Sequence, residues 1–131
     1  PEERAHRSTL ALAYEQQAHH LLKVGEHLDA EREFRRAYAI RERLVEESPG
    51  MAEHRNALAL TQTQLALVLA QVGKHVDAET EFRKAILVRE KLVEDYPTVP
   101  EYHVRLAGAV DLFADFFVRR KQIADAHDQV C

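Results

Sequence analysis

One cysteine, one methionine and no tryptophan occur in this 131-residue chain, with four glycines and four prolines. The lone Cys131 excludes an internal disulfide framework and suits a reducing, cytoplasmic compartment; its thiol is either inert or free to join two chains. No apolar run approaches the roughly 18 residues a bilayer span needs, and no secretion signal opens the chain, so no membrane contact is expected. A basic excess is missing too. Eighteen Lys and Arg face 22 Asp and Glu, a formal net charge of −4, and a nucleic-acid partner is not expected. There is no glycine-rich phosphate loop, no GxSxG and no Cys-His metal spacing. His19 and His20 are adjacent on a helix and point apart, where a metal pair would prefer i,i+4 spacing. His6/His54 and His27/His75 recur for a structural reason given below. The expectation is a non-enzyme without cofactor or metal.

What the chain has in quantity are helix formers, arranged twice over. Gly25–Pro49 (GEHLDAEREFRRAYAIRERLVEESP) and Gly73–Pro97 (GKHVDAETEFRKAILVREKLVEDYP) lie 48 residues apart, with 15 of 25 aligned positions identical. A repeat of this size implies stacked supersecondary units. The same register links Pro1, Pro49 and Pro97, then Leu10, Leu58 and Leu106, then Ala18, Ala66 and Ala114. One domain over 1–131 is expected, in units 1–48, 49–96 and a shortened 97–131.

Each unit reads as a first helix, a glycine turn and a second helix. First helices are predicted over about 3–23, 51–71 and 99–119, and second helices over about 27–47 and 75–95. Leu10, Ala11, Tyr14, Ala18, Leu21 and Leu22 form the first apolar stripe, and Ala30, Phe34, Ala37, Ile40 or Arg41, and Leu44 the second. Thr98 followed by Pro100 and Glu101 reads as a capping box, and Gly25 and Gly73 as left-handed helix stops. Ala18, Ala30, Ala37 and their copies allow close helix approach, with Phe34 and Phe82 filling the space left. Such a pair cannot bury both faces alone, so units should stack. Charged second-helix faces such as Glu31–Arg43 read as solvated.

The third unit departs from the pattern. Lys121 replaces the turn glycine, Gly108 stands where Leu12 and Leu60 do, and the chain runs out in a second helix at Asp125-Ala126-His127. Phe113, Phe116 and Phe117 cluster there. They are read either as the uncovered end of an array cut short or as a self-association site.

The order Tyr14, Ala18, Leu21, Gly25, Ala30, Phe34, Ala37, repeated as Ala66, Leu69, Gly73, Ala78, Phe82, Ala85, resembles the tetratricopeptide repeat. Pro49 and Pro97 come twelve residues after Ala37 and Ala85, later than in the usual repeat. The chain is in this similar to the long repeats of kinesin light chains, and closer still to bacterial arrays attached to protein kinases. The resemblance implies an all-α solenoid, a right-handed superhelix of antiparallel helix pairs. Its inner face, lined by first helices, would bind an extended peptide. Position by position, that lining is Leu12, Glu15, Gln16, His19 and Lys23, then Thr63, Gln64, Leu67 and Gln71, then Asp111, Leu112, Asp115 and Arg119. Long-repeat relatives often carry Asn-Asn where Glu15-Gln16, Thr63-Gln64 and Asp111-Leu112 stand here, which leaves Gln16 and Gln64 to supply carboxamides.

Two functions of different class follow. One is a protein-interaction scaffold whose groove takes a protein or peptide segment of mixed character, with weak salt dependence. The alternative is end-to-end self-assembly, a homodimer through the Phe113–Phe117 end.

Overall fold

The computed structural model describes residues 2–130, with side chains as far as Ala126. Pro1, the expected start of the first unit, the His127 side chain and the Cys131 thiol lie outside the described residues. Five helices follow in order: α1 (Glu2–Lys23), α2 (His27–Glu47), α3 (Ala52–Gln71), α4 (His75–Asp95) and α5 (Pro100–Val130). Among the described residues there is no strand. Each helix packs chiefly on its neighbours in sequence: α1 on α2, α2 on α3, α3 on α4, α4 on α5.

Gly25 and Gly73 end the first helix of each pair with φ of +85° and +86°. The N–H groups of Glu26 and Lys74 reach back to the carbonyls of Leu21 and Leu69, at 2.8 Å in both cases. The glycine N–H groups meet Leu22 and Ala70 at 3.1 and 3.2 Å, which completes the six-to-one motif of a left-handed helix stop. A residue with a side chain would cost about 1–2 kcal/mol there.

That cost explains the main departure from the sequence reading. No turn forms near Lys121, and α5 runs unbroken for 31 residues, through the segment expected to start a second helix. The helix continues because Lys121 cannot take the left-handed position cheaply. Thr98 is not its N-cap either. Pro100 is the first helical residue, which puts Val99 in the capping position and proline at the site where its missing N–H costs nothing.

Contacts within each pair run antiparallel. In the first pair Arg7 meets Glu47, Glu15 meets Arg41 and His19 meets Phe34. In the second, Arg55 Nη1 donates to Asp95 Oδ2 at 2.8 Å, the same bridge one repeat later. The core gathers Ala18, Ala30, Phe34, Leu65, Ala66, Leu69, Ala78, Phe82 and Phe116 around α3. Phe34 and Phe82 occupy equivalent sites at 0% and 1% exposure, as the repeat predicts. Leu10 is exposed although its copy Leu58 is buried. Helix α3 has a helix on either side, whereas α1 packs chiefly on α2.

Not every charge on the second helices is solvated. Glu31 is buried and accepts from Arg35 Nε at 2.8 Å and Lys74 Nζ at 3.0 Å. Burial alone would push its carboxyl up, but the hydrogen bonds and charges of Arg35 and Lys74 together hold the group below its ordinary value. At Arg41 the apolar stripe is completed by an ion pair with Glu15, both side chains nearly buried.

Glu81 behaves in the opposite sense. Burial lifts its pKa above the ordinary value; Lys84 and Arg35 oppose this, and Glu42 adds to it. Its Oε2 has no hydrogen-bond partner among the described residues. A raised folded-state pKa contributes stability that is complete below the unfolded value and is lost as pH rises through the folded one. Glu81→Gln is therefore expected to stabilise the chain at pH 7 by up to about 1 kcal/mol, with the gain vanishing below about pH 4. Urea unfolding across that pH range checks it; a loss of stability at pH 7 would contradict it.

Candidate functional site

A groove runs between α3 and α5, formed by two recesses that meet at Leu112. The first, of about 640 Å³, is lined by Leu60 and Thr63 of α3, Arg89 of α4, and Arg105, Gly108 and Ala109 of α5. The second, of about 490 Å³, is lined by Leu67, Gln71, His75, Asp115, Phe116 and Arg119 among others. Leu60, Thr63, Leu67 and Gln71 recur at three- and four-residue steps, so one face of α3 forms the whole wall. From Leu60 to Gln71 this wall is about 16 Å long, the reach of about five extended residues.

Apart from Leu12, Gln16, Lys23 and Asp111, the predicted lining residues divide into three groups. Thr63, Leu67, Gln71, Leu112, Asp115 and Arg119 come together in this groove. Leu67 and Leu112 are 41% and 39% exposed, which makes them apolar footholds open to a partner. Asp115 and Arg119 are paired with each other at 2.9 Å, so neither offers an undivided charge.

The second group, His19 and Gln64, meets between α1 and α3. His19 stands edge-on to Phe34 at 5.3 Å, and its Nε2 lies 3.1 Å from Gln64 Nε2. Leu12, Gln16 and Lys23 are exposed along α1, and Asp111 along α5.

The third group leaves the surface. Glu15 is buried at 6% exposure; its carboxylate receives Arg41 and, at 2.7 Å, the Thr61 hydroxyl. It ties α1, α2 and α3 together and is withdrawn from the expected lining. Thr63 keeps its place in the first recess, but its hydroxyl is spent on the Ala59 carbonyl at 2.9 Å.

The aromatic cluster is likewise divided. Phe116 is buried and lies 5.2 Å from Phe82, so it belongs to the core and is not an exposed self-association residue. Phe113 is half-buried and stacks on Phe82 at 5.5 Å, and the Arg83 guanidinium lies over its ring at 5.1 Å. Phe117 alone of the three is open, at 39% exposure. Phe113 and Phe116 thus rest on Phe82 and stand 48 residues after the aliphatic Leu65 and Val68.

Arg89, Arg105, Gly108 and Leu60 line the first recess but are absent from the lining that the resemblance implies. The signal was present in the register: Leu12 and Leu60 give way to Gly108, and His19 and Gln64 of the first interface become Leu67 and Leu112 in the second. Side chains that close the first interface are thus missing or apolar in the second. That is why the open groove lies beside α5.

The chain matches no protein-family model, no curated protein and no solved structure. Its class rests on its own architecture: an all-α chain of two repeated helix pairs followed by a fifth helix. Among the described residues no helix is long and apolar enough to cross a membrane.

Proposed function

We propose that the chain is a protein-interaction module of tetratricopeptide type, its helix pairs stacked as a right-handed superhelix, with an extended partner segment seated between α3 and α5. The observation that carries this reading is the groove itself. Gly108 opens it, Leu67 and Leu112 supply apolar contacts, and Gln71 and His75 supply hydrogen-bonding groups. A mixed lining of this kind suits a peptide better than a phosphate backbone. The role is that of a scaffold with no catalytic step, and a cytoplasmic setting suits its single cysteine.

Displayed random peptides selected on the immobilised chain test this reading. Leu67→Ala combined with Leu112→Ala is expected to weaken a selected peptide by roughly tenfold or more, since two exposed leucines lose their apolar contact. Arg32→Ala, on the exposed face of α2, is expected to leave binding unchanged. The reverse pattern would move the site to the outer surface. Concentration-dependent mass in light scattering, abolished by Phe117→Ser, would instead favour self-assembly through α5.

A further inference from the structure

The two repeats treat the same buried arginine differently. In the first, Arg41 is held by the Glu15 carboxylate, which also accepts from Thr61 Oγ1. Forty-eight residues on, the corresponding positions are Arg89, Thr63 and Ala109, so the cation is kept while its carboxylate and the hydroxyl that steadies it are both gone. Arg89 is 4% exposed. Its one hydrogen bond among the described residues runs from Nη1 to Asn56 Oδ1 at 3.0 Å, and it joins no ion pair there. Glu101, the carboxylate that lines this recess, is already taken by Arg105 Nε at 2.8 Å. Burial first, and then the neighbouring Arg105 charge, pull the Arg89 guanidinium below its ordinary value, with Glu101 opposing in part. A buried cation so weakly compensated is costly unless something supplies the counter-charge.

We propose that the recess over Arg89 receives the carboxylate of an acidic side chain from the bound segment, in the role that Glu15 plays for Arg41. The proposal rests on the groove reading above and names the residue type which that groove selects. The way in is open because a Cβ on Gly108 would meet nothing within 4 Å, where the other repeats carry leucine. The recess continues past Leu112 into the second half of the groove. A residue in the middle of a through-running segment can therefore reach Arg89 while its neighbours lie on Leu67 and Leu112. A planar carboxylate suits a guanidinium fork with one edge already spent on Asn56.

The Arg89 Nε–H NMR signal, assigned by its loss in Arg89→Met, reports on this site directly. N-acetyl-glutamate methylamide is expected to shift it saturably, and the glutamine isostere is expected to leave it still. Thr63→Glu, which returns the missing carboxylate to the chain, is expected to abolish the response while the far-UV helical signal and melting are kept or raised. In a groove-selected peptide, exchanging the acidic residue for its amide is expected to weaken binding about ten- to a hundredfold, a difference that Thr63→Glu erases. No response to the glutamate probe would overturn the proposal. A stronger response to N-acetyl-glycine would overturn the side-chain source in favour of a chain terminus. Groove-bound peptides indifferent to acid or amide would overturn the proposal and leave the groove reading standing. An Arg89 response without any peptide binding would remove the groove reading, and with it the bound segment as the source, leaving Arg89 a site for a free carboxylate.

Discussion

Replacing Phe82 by alanine is expected to lower stability by about 3–5 kcal/mol, a large share of the total for a domain of this size. The ring is 1% exposed and lies in one core cluster with Ala78 of its own helix and Leu65, Ala66 and Leu69 of α3. Phe116 and Phe113 rest on it at 5.2 and 5.5 Å, so its removal costs two aromatic contacts as well as apolar burial. Those rings are anchored on α5 and cannot easily collapse into the cavity. Phe34→Ala, at the equivalent site in the first repeat, should fall in the same range, with His19 losing its edge contact. Urea unfolding monitored by circular dichroism gives both values. A loss below about 1 kcal/mol for Phe82→Ala would mean the site repacks.

Glu15→Ala is expected to destabilise the chain on a similar scale, by about 3–5 kcal/mol, because it strands a buried guanidinium. The Glu15 and Arg41 side chains are 8% and 11% exposed, so water cannot readily replace the lost carboxylate. Thr61 loses its acceptor in the same step, although its hydroxyl can fall back on the Ala57 carbonyl at 3.0 Å. Substituting both partners by apolar residues, Glu15→Leu with Arg41→Met, should recover much of the loss, since no unpaired charge is then left. A double-mutant cycle separates the two contributions. If the double variant were as unstable as Glu15→Ala, the pair would matter for its shape and not for its charge. Arg89→Met offers an internal control. With no carboxylate to strand, that substitution should be close to neutral.

Legibility in the sequence differed sharply between helix pattern and charge placement. Helix limits for the first four elements follow from local signals: glycines at 25 and 73, three- and four-residue apolar steps, and prolines at the unit boundaries. Those signals act within a few residues, so a single chain displays them. Lys121 is equally legible as a lost glycine, but its consequence is a continuous helix and not a turn. Without a residue that takes the left-handed position cheaply, propagation of the helix wins. Glu15, Glu31 and Phe116 were misread for another reason. A charged or aromatic residue on one helix face points to solvent, groove or core according to which helix lies opposite. That neighbour comes from 20 to 50 residues away.

By itself, the sequence determined that this is an all-α chain of two copied helix pairs, with Phe34 and Phe82 in matching core sites. Repetition and periodicity are properties of the chain, and alanine and phenylalanine at those steps have few other ways to be buried. The tertiary structure decided which charges are withdrawn from water, that Phe116 covers Phe82, and that an open groove lies beside α5. Each of these depends on side chains from three helices meeting at one point. At the arginine sites the difference is a carboxylate and the hydroxyl that steadies it. Glu15 reaches Arg41 across the helix interface, whereas Thr63 brings no carboxylate to Arg89.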